Sequence, residues 1–264
     1  MAFETIFIIL LGMIIGSFLN VLIYRLPLGI SLLNPKRSVC TKCNKTIYWY
    51  ENIPIISFLF LRGKCSSCQN KISIQYPFVE ILTSLVTVLL YNEIGLSIEF
   101  YLITLIFYVL ITLSFIDLKY KAVPSSLLIL LTIITLFYII SMKIEHLSMF
   151  FIFAGGIVIL ELFVTYYIQN IKAYLLKDNS LKDQKALGEG DIPIVALIGG
   201  LVGLKFGIIA IFLSAILAII PSIINKMLNK EIETPFIPYL SLGLFITFTN
   251  KDTLTKILEG LNIV

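Results

Sequence analysis

The sequence predicts an all-α polytopic membrane protein with about eight transmembrane helices and a small polar insertion after the first helix. The first observation that supports this prediction is the composition: 58% of the 264 residues are hydrophobic and only 14% are charged, with a mean hydropathy of +0.98. A soluble domain of this length needs more charge to cover its surface. The second observation is that whole segments are apolar all round, which indicates lipid or apolar helices on every side.

The apolar runs recur along the chain at lengths near the roughly 20 residues that a helical crossing needs. The predicted spans are residues 3–23, 76–91, 98–116, 123–141, 147–168, 191–204, 205–224 and 236–249. The sixth and the eighth are short, so a count of seven also stays open. The first run follows Glu4 rather than a basic region, and we expect it to be retained as a helix. Close approach of a neighbouring helix is predicted at Gly199, Gly200 and Gly203.

Basic residues orient the chain, because cytoplasmic loops are rich in Lys and Arg. The polar stretch from Arg25 to Gln75 carries eight basic residues and a single acid, Glu51, so we expect it to be cytoplasmic. Alternation then places a further set of lysines inside: Lys119, Lys121, Lys172, Lys177, Lys182, Lys185, Lys226 and Lys230. The pattern predicts a multi-pass membrane protein whose polar insertion faces the cytoplasm. The net charge of +4 is modest and does not indicate nucleic-acid binding.

All four cysteines lie in this stretch, as two CxxC pairs about 21 residues apart: Cys40, Cys43, Cys65 and Cys68. Each pair places two thiolates on one side of a tight turn, and two such turns complete a tetrahedral site that suits Zn²⁺. Two disulfides or a redox CxxC are the alternatives, and the first is disfavoured in a reducing compartment. The spacing predicts a small cytoplasmic zinc-ribbon-like insertion whose closed metal site serves folding.

Two aspartates, far apart in sequence, are predicted at the same membrane edge, where acidic residues are costly and usually functional. Asp117 ends the third span, and Asp191 opens the sixth in the sequence Gly188-Glu-Gly190-Asp191. Two carboxylates within hydrogen-bond reach share a proton, so one can activate water while the other donates to a substrate carbonyl. Gly188 and Gly190 allow a sharp turn and a close approach to a peptide. An ordinary helix cap at Asp191 and a solvated or paired acid at Asp117 are the alternatives.

The quoted motifs, together with several others, resemble the type IV prepilin peptidases, or leader peptidase/N-methyltransferases, a family of GxGD membrane aspartic peptidases. The resemblance rests on the segments 16–27, 37–65, 76–83, 117–124, 188–191 and 235–243, in that order, and covers nearly the whole chain. Carried over to this sequence, it implies Asp117 and Asp191 as the peptidase pair and the four cysteines as zinc ligands. Pro193 stands where the family usually has a lysine, which puts the pH optimum in doubt.

The resemblance implies two activities. One is cleavage of the basic leader of prepilins and pseudopilins, after a glycine, at the cytoplasmic membrane face. The other is methylation of the new N-terminal amine with S-adenosylmethionine as cofactor. The pilus or type II secretion assembly machinery would be the partner. No glycine-rich cofactor fingerprint is visible. Tyr48, Trp49, Tyr50 and Glu51 could form a cofactor or amine site, or the small core of the zinc insertion.

The resulting prediction divides the chain into a first helix (1–23), a zinc-binding domain (24–75) and a peptidase domain (76–264). Glu80, at the inner edge of the second span, is a supporting residue that contacts the substrate's N-terminus or Arg25, or is a solvated acid. The competing hypotheses are a peptidase without methylation, a non-catalytic assembly platform, and a proton-coupled transporter that uses Glu161 with the two aspartates. His146, the only histidine, is assigned no role.

Overall fold

The computed structural model describes residues 2–34, 37–177, 179–183, 188–228 and 234–260. Lys36, Lys185 and Lys230 therefore lie outside the described residues. The described residues form ten α-helices: α1 (Ala2–Arg25), α2 (Ile56–Phe60), α3 (Gln75–Ile94), α4 (Ile98–Tyr120), α5 (Ser125–Met142), α6 (Leu147–Tyr166), α7 (Ala173–Leu176), α8 (Asp191–Met227), α9 (Ile237–Thr249) and α10 (Lys251–Gly260). A π-helical segment, Tyr167–Lys172, links α6 to α7. The two isolated β-bridges of the described chain both lie in the cysteine-bearing insertion.

Each of the eight predicted apolar segments falls on a helix. Within the described residues, six helices are long and apolar enough to cross a membrane, and α9 is a shorter apolar helix. The predicted spans 191–204 and 205–224 share α8, which is interrupted at Gly203, one residue before the predicted boundary. The backbone there has φ 74° and ψ −173°, a conformation that essentially only glycine adopts. The prediction of an all-helical, multi-pass membrane protein is confirmed.

The chain divides into two compact units, residues Met1–Tyr120 and Lys121–Val264, called here the N-terminal and the C-terminal unit. The N-terminal unit contains α1, α3, α4 and the insertion, and the C-terminal unit contains the remaining long helices. This division places Asp117 in the first unit and Asp191 in the second. The predicted functional domains, 1–23, 24–75 and 76–264, stay a prediction.

Close packing of α1 on α3 organises the N-terminal unit. A Cβ on Gly12 would lie 2.6 Å from the Cα of Ser84, and one on Gly16 would lie 2.7 Å from the Cα of Glu80. Glycines spaced four residues apart let two helix backbones touch, which in lipid gives packing that larger side chains forbid. The Ser84 hydroxyl adds a 3.0 Å hydrogen bond to the Ile9 carbonyl. The contact fixes the first turns of α3, including Glu80, against α1.

In the C-terminal unit, α8 packs closely against its neighbours through glycines. A Cβ on Gly199 would lie 2.5 Å from the Phe153 ring, and one on Gly200 would collide with Ile139. Close approach at these two glycines, as predicted, is therefore confirmed. At Gly203 the glycine instead permits the interruption of α8. His146 lies at this interruption, where its Nδ1 is 3.2 Å from the Gly200 carbonyl oxygen. That carbonyl is near a helix end, where carbonyls lose their helical partners.

Candidate active site and metal centre

The metal loop, residues 38–72, contains two copies of one turn separated by 25 positions. In the first copy Cys40 N–H donates to the Lys45 carbonyl at 2.9 Å, and in the second Cys65 N–H donates to the Asn70 carbonyl at 2.9 Å. The bridges Val39–Thr46 and Lys64–Lys71 close the two copies at equivalent positions. Asn44 and Gln69, each following the second cysteine of its pair, have positive φ angles of 55° and 57°. Both CxxC pairs therefore adopt the same tight turn.

The two turns bring the four cysteines together. Their sulfur atoms all lie within 4.8 Å of one another. Cys40 Sγ is 3.8 Å from Cys68 Sγ, and Cys43 Sγ is 4.0 Å from Cys65 Sγ. A tetrahedral site with Zn–S bonds of 2.3 Å requires sulfur–sulfur distances of about 3.8 Å. All four cysteines are free thiols rather than disulfides, so the alternative of two disulfides is not what the structure has. The cluster has the dimensions of a four-cysteine metal site.

Backbone N–H groups favour the thiolate form that a metal ligand requires. The N–H groups of Cys68 and Ser67 lower the pKa of the Cys65 thiol to about 6. Those of Cys43 and Lys42 lower the pKa of the Cys40 thiol in the same way. In both turns the first cysteine is the one favoured as a thiolate. The backbone of each turn therefore favours the thiolate form of its first cysteine.

Glu51 joins the two turns. Its carboxylate accepts hydrogen bonds from Lys45 of the first turn at 3.1 Å, from the Ser66 hydroxyl of the second, and from the Tyr48 N–H at 3.0 Å. Hydrogen bonding by Ser66, and next by Tyr48, lowers the pKa of Glu51, and the bond to Glu51 raises the pKa of Lys45. Its side chain is only 8% exposed. Glu51 therefore contributes to the structure of the metal loop.

The three aromatic residues beside Glu51 do not form the core of the loop. Trp49 is 74% exposed, and Tyr48 and Tyr50 are also exposed and stack on one another with ring centroids 5.5 Å apart. The interpretation of these aromatics as a buried core is wrong, because their rings project outward while the peptide chain of the loop folds around the cysteines and Glu51. Sequence reasoning could not decide this, since an aromatic cluster suits either a core or an exposed surface.

Asp117 lies in the last turn of α4 and is buried. The helix that carries it is regular, and one turn earlier the Ser114 hydroxyl bonds to the Leu110 carbonyl at 2.7 Å. A buried carboxylate at the end of an apolar helix matches the position predicted from sequence. Lys119, two residues further on, lies over the rings of Tyr24 and Tyr120, with its Nζ 5.7 Å and 5.0 Å from their centroids. The end of α4 is thereby held near the end of α1.

Asp191 is buried at the N-terminal end of α8, within a tight turn. Its N–H donates to the Gly188 carbonyl at 3.0 Å, and its carboxylate accepts the Gly188 N–H at 3.3 Å. Gly190 is required by packing, because a Cβ there would lie 2.7 Å from the Val123 side chain. Pro193 fits the first turn of α8, where a missing N–H removes no helical hydrogen bond. Gly188, Gly190 and Asp191 therefore belong to one tight turn.

A cavity of about 430 Å³ lies in the N-terminal unit between the metal loop and the adjoining ends of α1 and α3. Ser17, Asn20, Glu80 and Lys119 are among its polar lining residues. Sequence analysis identified Glu80 as a supporting residue, and the structure adds Asn20 to the same cavity. The sequence signal for the cavity was weak, because its walls combine residues that are more than 50 positions apart. The volume is in the range of small-molecule binding sites.

Comparison with known proteins covers both units. The bacterial peptidase A24 N-terminal domain matches residues 10–94, and the type IV leader peptidase family matches residues 104–223. A prepilin leader peptidase/N-methyltransferase of Neisseria gonorrhoeae is 30% identical over 93% of this chain and 90% of its own. One of Vibrio cholerae is 32% identical over 80% of this chain and 82% of its own. No solved structure is significantly similar to the chain. The chain belongs to the type IV leader peptidase family.

Proposed function

We propose that this protein is a membrane-embedded aspartic endopeptidase that removes the leader of type IV prepilins and pseudopilins and then methylates the new N-terminus. The observation that carries the proposal is the family match across nearly the whole chain, in both units. Within it, Asp117 and Asp191 are buried carboxylates at the ends of apolar helices. Buried acids in such positions are costly and usually functional.

The peptidase step is assigned to Asp117 and Asp191 acting as a pair. The ionised carboxylate takes a proton from a water molecule, which attacks the scissile carbonyl carbon. The protonated carboxyl donates to the carbonyl oxygen as the tetrahedral intermediate forms. Gly188 and Gly190 are the supporting residues, because their lack of side chains leaves room for a peptide backbone beside Asp191. No covalent enzyme intermediate is needed.

The metal loop is assigned a structural zinc ion. Support comes from the sulfur–sulfur distances near 3.8 Å and from the lowered pKa of Cys65 and Cys40. Four protein ligands leave no open position for water, so the ion serves the fold of the loop rather than hydrolysis. S-adenosylmethionine is the cofactor for methylation, and it supplies the methyl group that the N-terminal amine receives.

The protein is placed in the bacterial inner membrane, with the metal loop and the aspartates on the cytoplasmic side. The basic residues between Arg25 and Gln75 support this orientation. The substrate's basic leader would lie at the same membrane face, and its apolar helix would enter laterally among the spans. The released pilin subunits would pass to the pilus or type II secretion machinery.

The test is mass spectrometry of a prepilin incubated with the purified protein and S-adenosylmethionine. Wild type is expected to remove a leader-sized mass and add a methyl group. Asp117→Asn and Asp191→Asn should each slow cleavage by roughly 10²–10⁴-fold. Glu161→Gln is the matched control, because it neutralises another intramembrane acid that the peptidase does not use. Cleavage retained in either aspartate variant would refute the pair, and cleavage lost in the Glu161 variant would favour a relay of acids.

A further inference from the structure

The cavity of the N-terminal unit contains a buried carboxylate. Glu80 is 7% exposed and lines the cavity. One of its oxygens accepts the Ile55 N–H at 2.8 Å, and Ser17 also lines the cavity. A carboxylate offers about four lone-pair sites, so further donors can bind. Ile55 has φ 60°, a strained conformation for a β-branched residue, and such strain is concentrated at ligand-binding positions.

The same cavity contains a buried acceptor without a donor. The Asn20 amide nitrogen donates to the Gly16 carbonyl at 3.2 Å and to the Tyr76 carbonyl at 3.0 Å, which fixes the orientation of the amide. Its oxygen, Oδ1, is buried and has no hydrogen-bond partner, although the side chain lines the cavity and is only 2% exposed. Leaving such an acceptor unpaired has a desolvation cost. A donor supplied by a ligand would remove this cost.

Asn20 and Glu80 lie on adjacent turns of one interface. Asn20 contacts the Tyr76 carbonyl, and Tyr76 precedes Glu80 by one helical turn on α3. Gly16, one turn before Asn20 on α1, packs against the Glu80 backbone. The two residues therefore line the same cavity, and one of them is a carboxylate. A cationic donor is the complementary ligand.

Three of the five basic side chains that line the cavity bind other groups, and Lys42 and Lys71 complete the set. Lys45 pairs with Glu51. Lys119 lies over the rings of Tyr24 and Tyr120. Arg25 donates to backbone carbonyls of the chain between α1 and the metal loop, including that of Ser31 at 3.0 Å. Glu80 and Asn20 are therefore suited to an ammonium group brought by a ligand.

We propose that Glu80 and Asn20 bind the free α-ammonium of the cleaved pilin and that this cavity is where the amine is methylated. The proposal rests on the proposed function and assigns its second step to named residues.

Methylation of the amine at this site consists of a proton transfer followed by a methyl transfer. The ammonium donates one proton to the Glu80 carboxylate, while Asn20 Oδ1 accepts a hydrogen bond from a second N–H and orients the nitrogen. The neutral amine's lone pair then forms the N–C bond to the methyl carbon of S-adenosylmethionine as the C–S bond breaks and its electrons pass to sulfur. The positive charge moves from the sulfonium to the methylated ammonium, and Glu80 returns its proton to water.

The first experiment measures equilibrium binding rather than turnover. The full chain in lipid nanodiscs is titrated with a fluorescent peptide of about 20 residues that has a pilin-like apolar sequence. The peptide carries either a free or an acetylated N-terminus. Wild type should bind the free amine roughly tenfold or more tightly, because hydrogen bonds to charged groups contribute about 1.5–3 kcal/mol. Equal affinity for both peptides in wild type would overturn the proposal.

The variant Glu80→Gln should abolish this preference and slow methylation of a pre-cleaved peptide by about tenfold or more. Gln can still accept the Ile55 N–H through its carbonyl oxygen. The matched control is Glu93→Gln, at the other end of α3 and exposed, which should keep the preference. A Glu80→Gln protein that still prefers the free amine would refute the assignment.

Two further measurements distinguish the ways in which the assignment of the amine site could be wrong. S-adenosylhomocysteine also carries a primary amine, so an effect of Glu80→Gln on its affinity but not on that of the peptide would assign the site to the cofactor and overturn the proposal. A photoreactive group at the peptide's second residue tests wild type directly, even if the variant fails to fold. Labelling of cavity residues supports the proposal, and labelling elsewhere contradicts it. A wild type that prefers the free amine but never methylates would refute the methyltransferase function and the methylation step while leaving the amine site standing.

Discussion

In the N-terminal unit, Gly12 and Gly16 let two uninterrupted helices touch, whereas in the C-terminal unit Gly203 interrupts a helix. The first arrangement holds α3 rigidly against α1 and fixes the walls of a cavity. The second divides α8 into segments 191–202 and 204–227, with His146 hydrogen-bonded beside the interruption. Glycine has no Cβ, so it serves close packing in one unit and a special backbone angle in the other.

The two units also differ in the functions proposed for them. The cysteine cluster, the cavity, Glu80 and Asn20 all belong to the N-terminal unit, whereas the proposed peptidase pair takes Asp117 from one unit and Asp191 from the other. Methylation would then depend on one unit and cleavage on both. Variants of single residues in each unit test this asymmetry.

Asp191→Asn should separate the two activities. Cleavage of intact prepilin is expected to fall by roughly 10²–10⁴-fold, because an amide cannot exchange the proton that the step requires. Methylation of a peptide that already has the mature N-terminus should stay near the wild-type rate, since that step is assigned to the other unit. Mass spectrometry of both substrates measures both rates. Loss of methylation on the pre-cleaved peptide would contradict the division.

Cys65→Ser should remove the metal from the N-terminal unit. A serine hydroxyl is a poor zinc ligand at neutral pH, and the affinity for zinc should fall by at least about 100-fold. Methylation should decline more than cleavage, because the metal loop forms part of the cavity wall. Elemental analysis of the purified protein gives the zinc content. Ser67→Ala, between the same two cysteines, is the control and should retain zinc. Stoichiometric, tightly bound zinc in the Cys65 variant would exclude the proposed ligand set.

Gly203→Ala should destabilise the C-terminal unit. The backbone angles at this position cost a non-glycine residue about 1–3 kcal/mol, and the new Cβ would lie 3.3 Å from the His146 ring. Gly155→Ala on α6 is the matched control, because a Cβ there meets nothing within 4 Å. Thermal unfolding in detergent should show a lower Tm for the first variant and an unchanged or higher Tm for the second. Equal Tm values would show that the interruption of α8 is not maintained in solution.

Glu51→Gln should have the smallest effect, and that effect should depend on pH. Hydrogen bonds from Ser66 and Tyr48 lower the pKa of Glu51 in the folded protein. Its stabilising contribution is therefore complete above the unfolded-state pKa of about 4.3 and is lost as the pH falls through the lower folded-state value. The Tm difference between wild type and variant should be larger at pH 7 than at pH 3. A difference that is independent of pH would mean that the carboxylate charge contributes nothing to the loop.

The sequence by itself determined the helices, the clustering of the four cysteines and the turn at Asp191. Apolar segments near the length of a membrane span can satisfy their backbone groups only as helices, so hydropathy predicts them without knowledge of their neighbours. The cysteines of each CxxC pair and the residues Gly188 to Asp191 interact across four positions or fewer, so their geometry is local. Even the interruption of α8 was close to the boundary predicted at residue 204.

Only the tertiary structure decided which residues meet across helices. The contact of Gly16 with Glu80, the unpaired Asn20 oxygen, the His146 bond to Gly200 and the outward position of Trp49 had no signal in the sequence. In lipid, one apolar helix face is chemically much like another, so hydropathy cannot select the neighbour that a helix will take. The pairing of helices depends on the fit of small residues between particular helices. The pairing of α1 with α3 brings Glu80 and Asn20, 60 positions apart, into one cavity.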